Sequence, residues 1–357
     1  MPGHKLPVSL VQIEPTSRCT LACLTCLRGS HPHYWQERDL DASILTSLLD
    51  FLPQNAVLHL QGWGEPLLYL QLPDCISQIR QAGMRISLTS NGTPVDGKMA
   101  DTLVASGLDS LTFSMAGATG DTQDALRGTG SFACLEQALD CINTSKKEQG
   151  RSRPTLAISY LLTPKTIHEL PGAVSWSARR GVSLLAGVHL THAVSELQKS
   201  LQCFSRIPAR DKKYFRIAEL KSILHRMRFT MPPMTAHEVP VCAKNPLETF
   251  FVAADGSVSP CVFLCPPCGS EKSPLARTVF GNLYAEPLDR IWNSARYTQF
   301  RQAFARRLAF YNKTMARVGL DLDALERLDR ANQAVKRYFG ENQPPQPCRH
   351  CLKMQGA

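Results

Sequence analysis

The chain has 357 residues, 43% of them hydrophobic and 20% charged, which excludes disorder as the main state and is enough for more than one core. No apolar run approaches the roughly 18 residues of a membrane helix, and the opening MPGHKLPVSL lacks the apolar stretch of a secretory signal, so a cytoplasmic setting is expected. Residues 1–200 carry 16 Lys and Arg against 17 Asp and Glu, residues 201–357 carry 24 against 13, and the net charge of +10 therefore belongs to the second half, as a solvated Arg-rich surface or as a site for an acidic partner.

From Val8 to about Leu190, short apolar or β-branched runs alternate with longer amphipathic stretches, each pair punctuated by Gly, Pro or Asn. The pattern predicts strands over 9–14, 56–61, 85–89, 110–114, 155–162 and 183–189. Helices are predicted over 41–51, 72–82, 97–105, 132–147 and 167–180. Strands separated by helices imply a parallel sheet, open or curved towards a barrel, with right-handed crossovers and the chemistry on the loops after the strand C-termini.

Residues 191–240 weaken into a basic, partly helical connector ending in Met231-Pro232-Pro233-Met234. The expected division is 1–195, a connector over 196–240, and a second domain over 241–357. Asp255-Gly256 between 249–254 and 257–259 predicts a hairpin, because Asp-Gly supplies the positive φ of a tight turn. Residues 288–338 read as mostly helical, stopped by Gln343-Pro344-Pro345. No repeat of solenoid length is present.

Thirteen cysteines in a reducing compartment point to metal or catalysis rather than disulfides. The first strand ends in Glu14-Pro15-Thr16-Ser17-Arg18, followed by Cys19, Cys23 and Cys26 in CxxxCxxC spacing. Three thiolates on one loop can take three corners of a cubane cluster and leave one iron open. The alternatives are a structural zinc site, which wants four closed ligands, or unrelated core cysteines. The second strand runs into Gly62-Trp63-Gly64-Glu65-Pro66-Leu67, where glycines admit a ligand to the backbone and a carboxylate can hold an ammonium group.

CxxxCxxC after strand one, followed one β/α unit later by a Gly-Glu-Pro turn, resembles the radical S-adenosylmethionine (SAM) superfamily. The resemblance implies a partial (β/α)6 TIM-like barrel, with a C-terminal α+β auxiliary-cluster domain. It implies a 4Fe-4S cluster on Cys19, Cys23 and Cys26 whose open iron is chelated by SAM, with Gly62, Gly64 and Glu65 taking the SAM amino group. Ser114 and Arg127 stand where relatives contact SAM. Asn91-Gly92 lines the same pocket or serves as a plain left-handed turn. Two departures are Thr25, where the family carries an aromatic residue, and Trp63, which interrupts the usual Gly-Gly-Glu-Pro.

Cys242, thirteen residues, Gly256, four residues, Cys261 and a closing Cys348-Arg349-His350-Cys351 resemble the SPASM extension of that superfamily. Gly281-Asn282-Leu283 and Ile291-Trp292-Asn293-Ser294 add to the likeness. It implies one auxiliary 4Fe-4S cluster on Cys242, Cys261, Cys348 and Cys351, with a zinc-stapled subdomain as the alternative. Cys265 and Cys268 repeat the CxxxCxxC spacing with Cys261 and are open to three readings: substitute ligands, a labile second cluster, or free thiols. Cys75, Cys134, Cys141 and Cys203 read as core or incidental residues.

The implied activity is reductive cleavage of SAM to a 5′-deoxyadenosyl radical that takes hydrogen from a substrate. The expected substrate is a peptide or protein, acidic in character, and the expected electron donor is of flavodoxin or ferredoxin type. Modification of a small molecule or cofactor precursor is the alternative. Two further readings are a non-catalytic iron-sulfur electron carrier and a zinc-bearing nucleic-acid binder, the latter without the aromatic-interleaved basic stretch such binding uses. Val262 stands where sulfatase-maturing members carry Asp, which argues against that activity. The segments 62–67 and 255–261 also resemble maturases linked to tungsten-containing oxidoreductases. No general base is assigned; Tyr160, Lys165, His189 and His192 read as loop or surface residues.

Overall fold

The computed structural model of the protein describes residues 5–268, 273, 275–319 and 323–357. Among these, ten strands form one sheet: β1 (Leu10–Ile13), β2 (Val57–Leu60), β3 (Arg85–Ser90), β4 (Ser110–Met115), β5 (Thr155–Leu162), β6 (Leu184–His189), β7 (Arg228–Thr230), β8 (Thr249–Val252), β9 (Ser257–Ser259) and β10 (Gly281–Asn282). Their spatial order is β10-β9-β8-β1-β2-β3-β4-β5-β6-β7. From β1 to β7 every neighbouring pair is parallel and in chain order. Right-handed crossovers between strands taken in that order lay all the helices on one face and leave the other free, which is the geometry of a partial barrel.

The side-chain pattern follows. Leu58, Ile86, Leu88, Leu111, Phe113, Ile158, Tyr160 and Leu185 have no exposed surface and face the helical layer. That layer contains Ala42–Leu49, Leu72–Gln81, Gly97–Ala105, Ser131–Glu148 and Leu170–Arg179, within a residue or two of the predicted helices except where the last begins as a 3-10 turn at Ile167–Glu169. The opposite parity places His59, Ser87, Thr112, Ser114 and Ser159 on the inner face, half-buried. Small polar residues there leave room for a ligand above the pleat.

Two connections lie beyond the expected pattern. The connector contributes β7, whose Arg228 and Thr230 are exposed and whose three residues carry no strand periodicity. The hairpin β8–β9 does form, with Gly256 at φ +76°, and β8 adds to the free edge of β1 in parallel, Leu10 opposite Thr249 and Ile13 opposite Val252. Beyond it, the helices Leu288–Asn293, Ala295–Met315 and Ala324–Glu341 complete the C-terminal part. Arg307, fully buried, donates to the carbonyls of Asn342 (2.6 Å) and Val239 (3.1 Å), pairs with Glu238 (2.7 Å), and lies 3.8 Å over the Phe339 ring. It ties the long helices to the segment that leads into Cys242.

Candidate functional site

The loop after β1 carries Cys19, Cys23 and Cys26, and several long-range contacts shape it. The Cys26 amide donates to the Cys23 carbonyl at 3.0 Å, closing the last turn. Arg28 caps the carbonyls of Cys19 and Leu21 and pairs with Glu37 at 2.7 Å. Gln198, buried on the short helix Glu196–Ser200, donates to the carbonyls of Leu24 (3.0 Å) and Cys26 (3.1 Å) and to Ser30 Oγ (2.8 Å). Burial pushes the Cys26 thiol up to about 11, with repulsion from Cys23 and Cys19 adding to it and Arg127 opposing it. Burial likewise raises Cys19. Cys26 and Cys19 thus sense the charge of their neighbouring thiols in a partly dry loop. Thiolates would gain from a cationic iron centre there, and thiol softness suits iron-sulfur.

Gly62-Trp63-Gly64-Glu65 packs directly on this loop. A Cβ on Gly64 would lie 2.1 Å from the Thr16 carbonyl oxygen and 2.6 Å from that of Arg18. A Cβ on Gly62 would lie 2.3 Å from the Glu14 side chain. Only glycine allows this approach, and it lets the Glu65 amide reach the Arg18 carbonyl at 2.7 Å. The Glu65 carboxylate is buried and accepts from the amides of Leu67 (3.1 Å) and Asn91 (2.6 Å). Burial raises its pKa, and these amides pull the other way. Glu65 therefore fixes the Asn91-Gly92 turn.

Asn91 in turn points Nδ2 at Cys19 Sγ (3.7 Å) and Thr20 Oγ1 (3.1 Å). Arg127 ends the helix Gly120–Arg127, and its charge acts on both Cys26 and Glu65. Among the described residues its buried Nε has no hydrogen-bond partner. Ser114 lies half-buried on the inner face of β4, opposite Ser159 of β5. The residues picked from the first motif, with Asn91 and Arg127, thus meet at the C-terminal ends of β1 to β3. Ser114 is placed on the sheet below them.

Trp63, the interruption in the glycine turn, reaches across to the C-terminal part. Its Nε1 donates to the Val262 carbonyl at 3.0 Å, and its ring meets Trp35 and Phe263 edge-on. Glu14 makes a second bridge. Its buried carboxylate accepts from the amides of Trp63 (2.6 Å) and Ala254 (3.1 Å), and burial pushes its pKa up to about 7 against these hydrogen bonds.

Of the second set, Cys242, Cys261 and Cys351 all act on Cys348, which burial first raises. Burial raises Cys261 to about 12, with Cys242 and Cys351 contributing. These four thiols are therefore electrostatic neighbours. Cys265 stands apart: its Sγ accepts from Arg277 at 3.0 Å, and Arg277 also pairs with Asp255 at 2.8 Å. Cys268 belongs to the segment that docks on Trp35 and Gln36, the Gln36 amide donating to Pro267 at 2.8 Å. Four soft donors on two chain segments fit a fully ligated iron-sulfur group. Among the described residues no group of three or more His, Cys, Asp or Glu is gathered around one point as for a single metal ion.

Two readings are corrected. Tyr160 is no surface residue: it has no exposed surface on the helical side of β5 and donates to the Thr166 carbonyl at 2.9 Å. Its parity with Ile158 and Leu162 carried that information. His189 is also buried, bonded to the Pro233 carbonyl at 3.0 Å. Glu14, Gln198 and Arg28 were missed as site residues, since their partners lie far along the chain or on the backbone.

The radical SAM superfamily pattern matches residues 13–176, and an iron-sulfur cluster-binding domain, SPASM, matches residues 242–314. The tungsten-containing aldehyde ferredoxin oxidoreductase cofactor-modifying protein of Pyrococcus furiosus is 24% identical over 81% of this chain and 82% of its own. The PqqA peptide cyclase of Xanthomonas oryzae pv. oryzae is 26% identical over 83% of this chain and 77% of its own. Among solved structures, native anSMEcpe with bound AdoMet and Cp18Cys peptide shares the fold, with a TM-score of 0.62 at 17% identity over 84% of each chain. A 4Fe-4S cluster and SAM are the cofactors of the first domain, and auxiliary iron-sulfur is that of the second. The chain belongs to the radical SAM superfamily and carries a C-terminal SPASM-type domain.

Proposed function

We propose that the protein is a maturase that cleaves SAM reductively and removes hydrogen from a peptide or protein substrate. Cys19, Cys23 and Cys26 hold the SAM-binding cluster, and Cys242, Cys261, Cys348 and Cys351 hold one auxiliary cluster. The bound cluster and SAM together supply a 5′-deoxyadenosyl radical. The chain's own residues do the rest: the glycine backbone at 62–64 receives the SAM amino group, Glu65 keeps Asn91 beside Cys19, and Arg127 offers its free Nε. Ser114 faces the same space from β4. Each Glu65 oxygen accepts one amide and keeps a further acceptor site, so the carboxylate sets the turn and takes the SAM amino group together with Gly62 and Gly64. Around this space the inner face presents mainly small polar side chains, half-buried, which leave room for a substrate.

The observation that carries this reading is the thiol trio packed on a glycine turn at the mouth of the sheet. The named activity of PqqA peptide cyclase and the peptide bound to anSMEcpe support a peptide substrate. A second reading, modification of a cofactor precursor, is favoured by the 24% identity to a cofactor-modifying protein over most of both chains. We place the enzyme in the cytoplasm with a flavodoxin- or ferredoxin-type donor, in keeping with its thirteen free thiols. No described helix is long and apolar enough to cross a membrane.

The test is anaerobic reconstitution with iron and sulfide, then dithionite and SAM, with and without peptides encoded beside the gene. Wild type is expected to form 5′-deoxyadenosine and change the mass of one peptide, and Cys19→Ala to do neither. A fully loaded protein that forms no 5′-deoxyadenosine would instead be an electron carrier.

A further inference from the structure

Lys244 and Lys353 flank the inner face from the C-terminal part, and the proposed mechanism uses neither. Lys244 Nζ donates to Gln12 Oε1 at 3.2 Å, and Gln12, on β1, donates to the Gln61 carbonyl at 3.0 Å. Both lysines sit over the Phe263 ring, Lys244 at 5.8 Å and Lys353 at 5.5 Å from its centre. His192 stacks flat on that ring at 4.0 Å and is held by Thr191 Oγ1 (2.8 Å) and Cys351 Sγ (3.6 Å). The two ammonium groups thus stand beside one ring, and the thiols of Cys261 and Cys242 are the oppositely charged neighbours of Lys244. Among the described residues neither lysine has a carboxylate within ion-pairing distance. The cysteine sulfurs supply negative charge on one side of this pair, whereas on the side of Gln12 the described residues offer Lys244 only a neutral amide, so an anion arriving there meets two half-buried cations.

We propose that Lys244 and Lys353 form a carboxylate clamp that seats an acidic group of the substrate between the inner face and the auxiliary cysteines. A cysteine-ligated cluster is anionic and attracts the same charges, but the hydrogen bond of Lys244 runs to Gln12 on the sheet rather than to a sulfur. That direction favours a ligand lying on the inner face. Phe263 and His192 give the carboxylate's carbon chain a flat wall. The carboxylate comes from an acidic side chain or from a peptide's C-terminus; the chemistry recognised is the same.

The inference rests on the peptide reading but is measured without turnover. Three probes are titrated calorimetrically into the reconstituted protein with SAM: acetyl-Ala-Glu-Ala-amide, acetyl-Ala-Gln-Ala with a free C-terminus, and acetyl-Ala-Gln-Ala-amide. One of the first two is expected to bind at least about tenfold more tightly than the third, more weakly at high salt. The preferred probe identifies the source of the carboxylate. Lys244→Gln and Lys353→Gln are each expected to erase most of that preference, Lys244→Arg to retain it, and iron content and the auxiliary cluster's EPR signal to stay unchanged. Equal behaviour of all three probes with wild type would overturn the clamp, whether or not any variant folds. So would variants that shift the EPR signal and leave probe affinity alone. Formation of 5′-deoxyadenosine without carboxylate preference sinks the clamp only; preference without 5′-deoxyadenosine sinks the maturase reading.

Discussion

Gly64→Ala puts one methyl group where two carbonyl oxygens already stand. Its Cβ would lie 2.1 Å from the Thr16 oxygen and 2.6 Å from the Arg18 oxygen, whereas carbon and carbonyl oxygen approach to roughly 3.3 Å at best. Both neighbours are main chain, so no rotamer change relieves the clash, and the loop must retreat by about 1 Å. That retreat breaks the 2.7 Å hydrogen bond from the Glu65 amide to the Arg18 carbonyl. Overpacking costs about 1–3 kcal/mol, and the lost hydrogen bond adds about 1 kcal/mol. The expected loss is about 2–4 kcal/mol in urea unfolding of the cluster-free protein, together with poor retention of the N-terminal cluster after reconstitution. Gly97→Ala is the control, since a Cβ there meets nothing within 4 Å; it should be neutral or slightly stabilising. A Gly64→Ala protein as stable and as iron-replete as the Gly97→Ala protein would refute the reasoning.

Three further outcomes are expected. Glu14, raised by burial from 4.5 to about 7, keeps its proton in the native state where the unfolded chain has lost it, so its contribution favours folding at low pH and is lost as pH rises from 4.5 through 7; wild type should lose about 2–3 kcal/mol relative to Glu14→Gln between pH 5 and pH 8, measured by urea unfolding, and parallel pH profiles would contradict this. Cys348→Ala should remove about four irons while leaving some SAM cleavage, and Cys265→Ala, whose thiol is held by Arg277 away from the four-thiol group, should remove none; iron analysis showing equal losses would displace the proposed ligand set. Gln198→Leu leaves the Leu24 and Cys26 carbonyls without their side-chain donor, so a chelator should strip the N-terminal cluster several-fold faster than in wild type without hastening loss of the auxiliary one; equal rates would show that the loop stands without it.

The first six strands were legible because each is a short apolar or β-branched run bounded by turn residues, and the two cysteine sets because their spacings are local; β7, three residues without periodicity, was not. Pairing of β8 with β1 was not, since 239 residues separate Leu10 from Thr249 and nothing in either run names its partner. The same holds for Gln198, whose hydrogen bonds reach back to residues 24–30. Glu14 could be seen at the end of a strand, but its burial depends on Gly62 and on the hairpin amide of Ala254 arriving from elsewhere. Tyr160 stands near a loop but shares the parity of Ile158 and Leu162, and on β5 that parity decides its burial. Trp63 appeared as a departure from a family motif, and its use became visible only with Val262 and Phe263 beside it.

The four-residue register of β8 on β1 has a mechanical meaning. The strand that launches the three-cysteine loop and the first strand of the hairpin that leads to Cys261 are laced together by main-chain hydrogen bonds, with Glu14 joining the segments that follow β2 and β8. A frame stitched this way resists hinge opening, so the separation between the two thiol groups is set by pleat geometry rather than by a swinging cover. Two clusters held on these thiols would then keep a fixed separation.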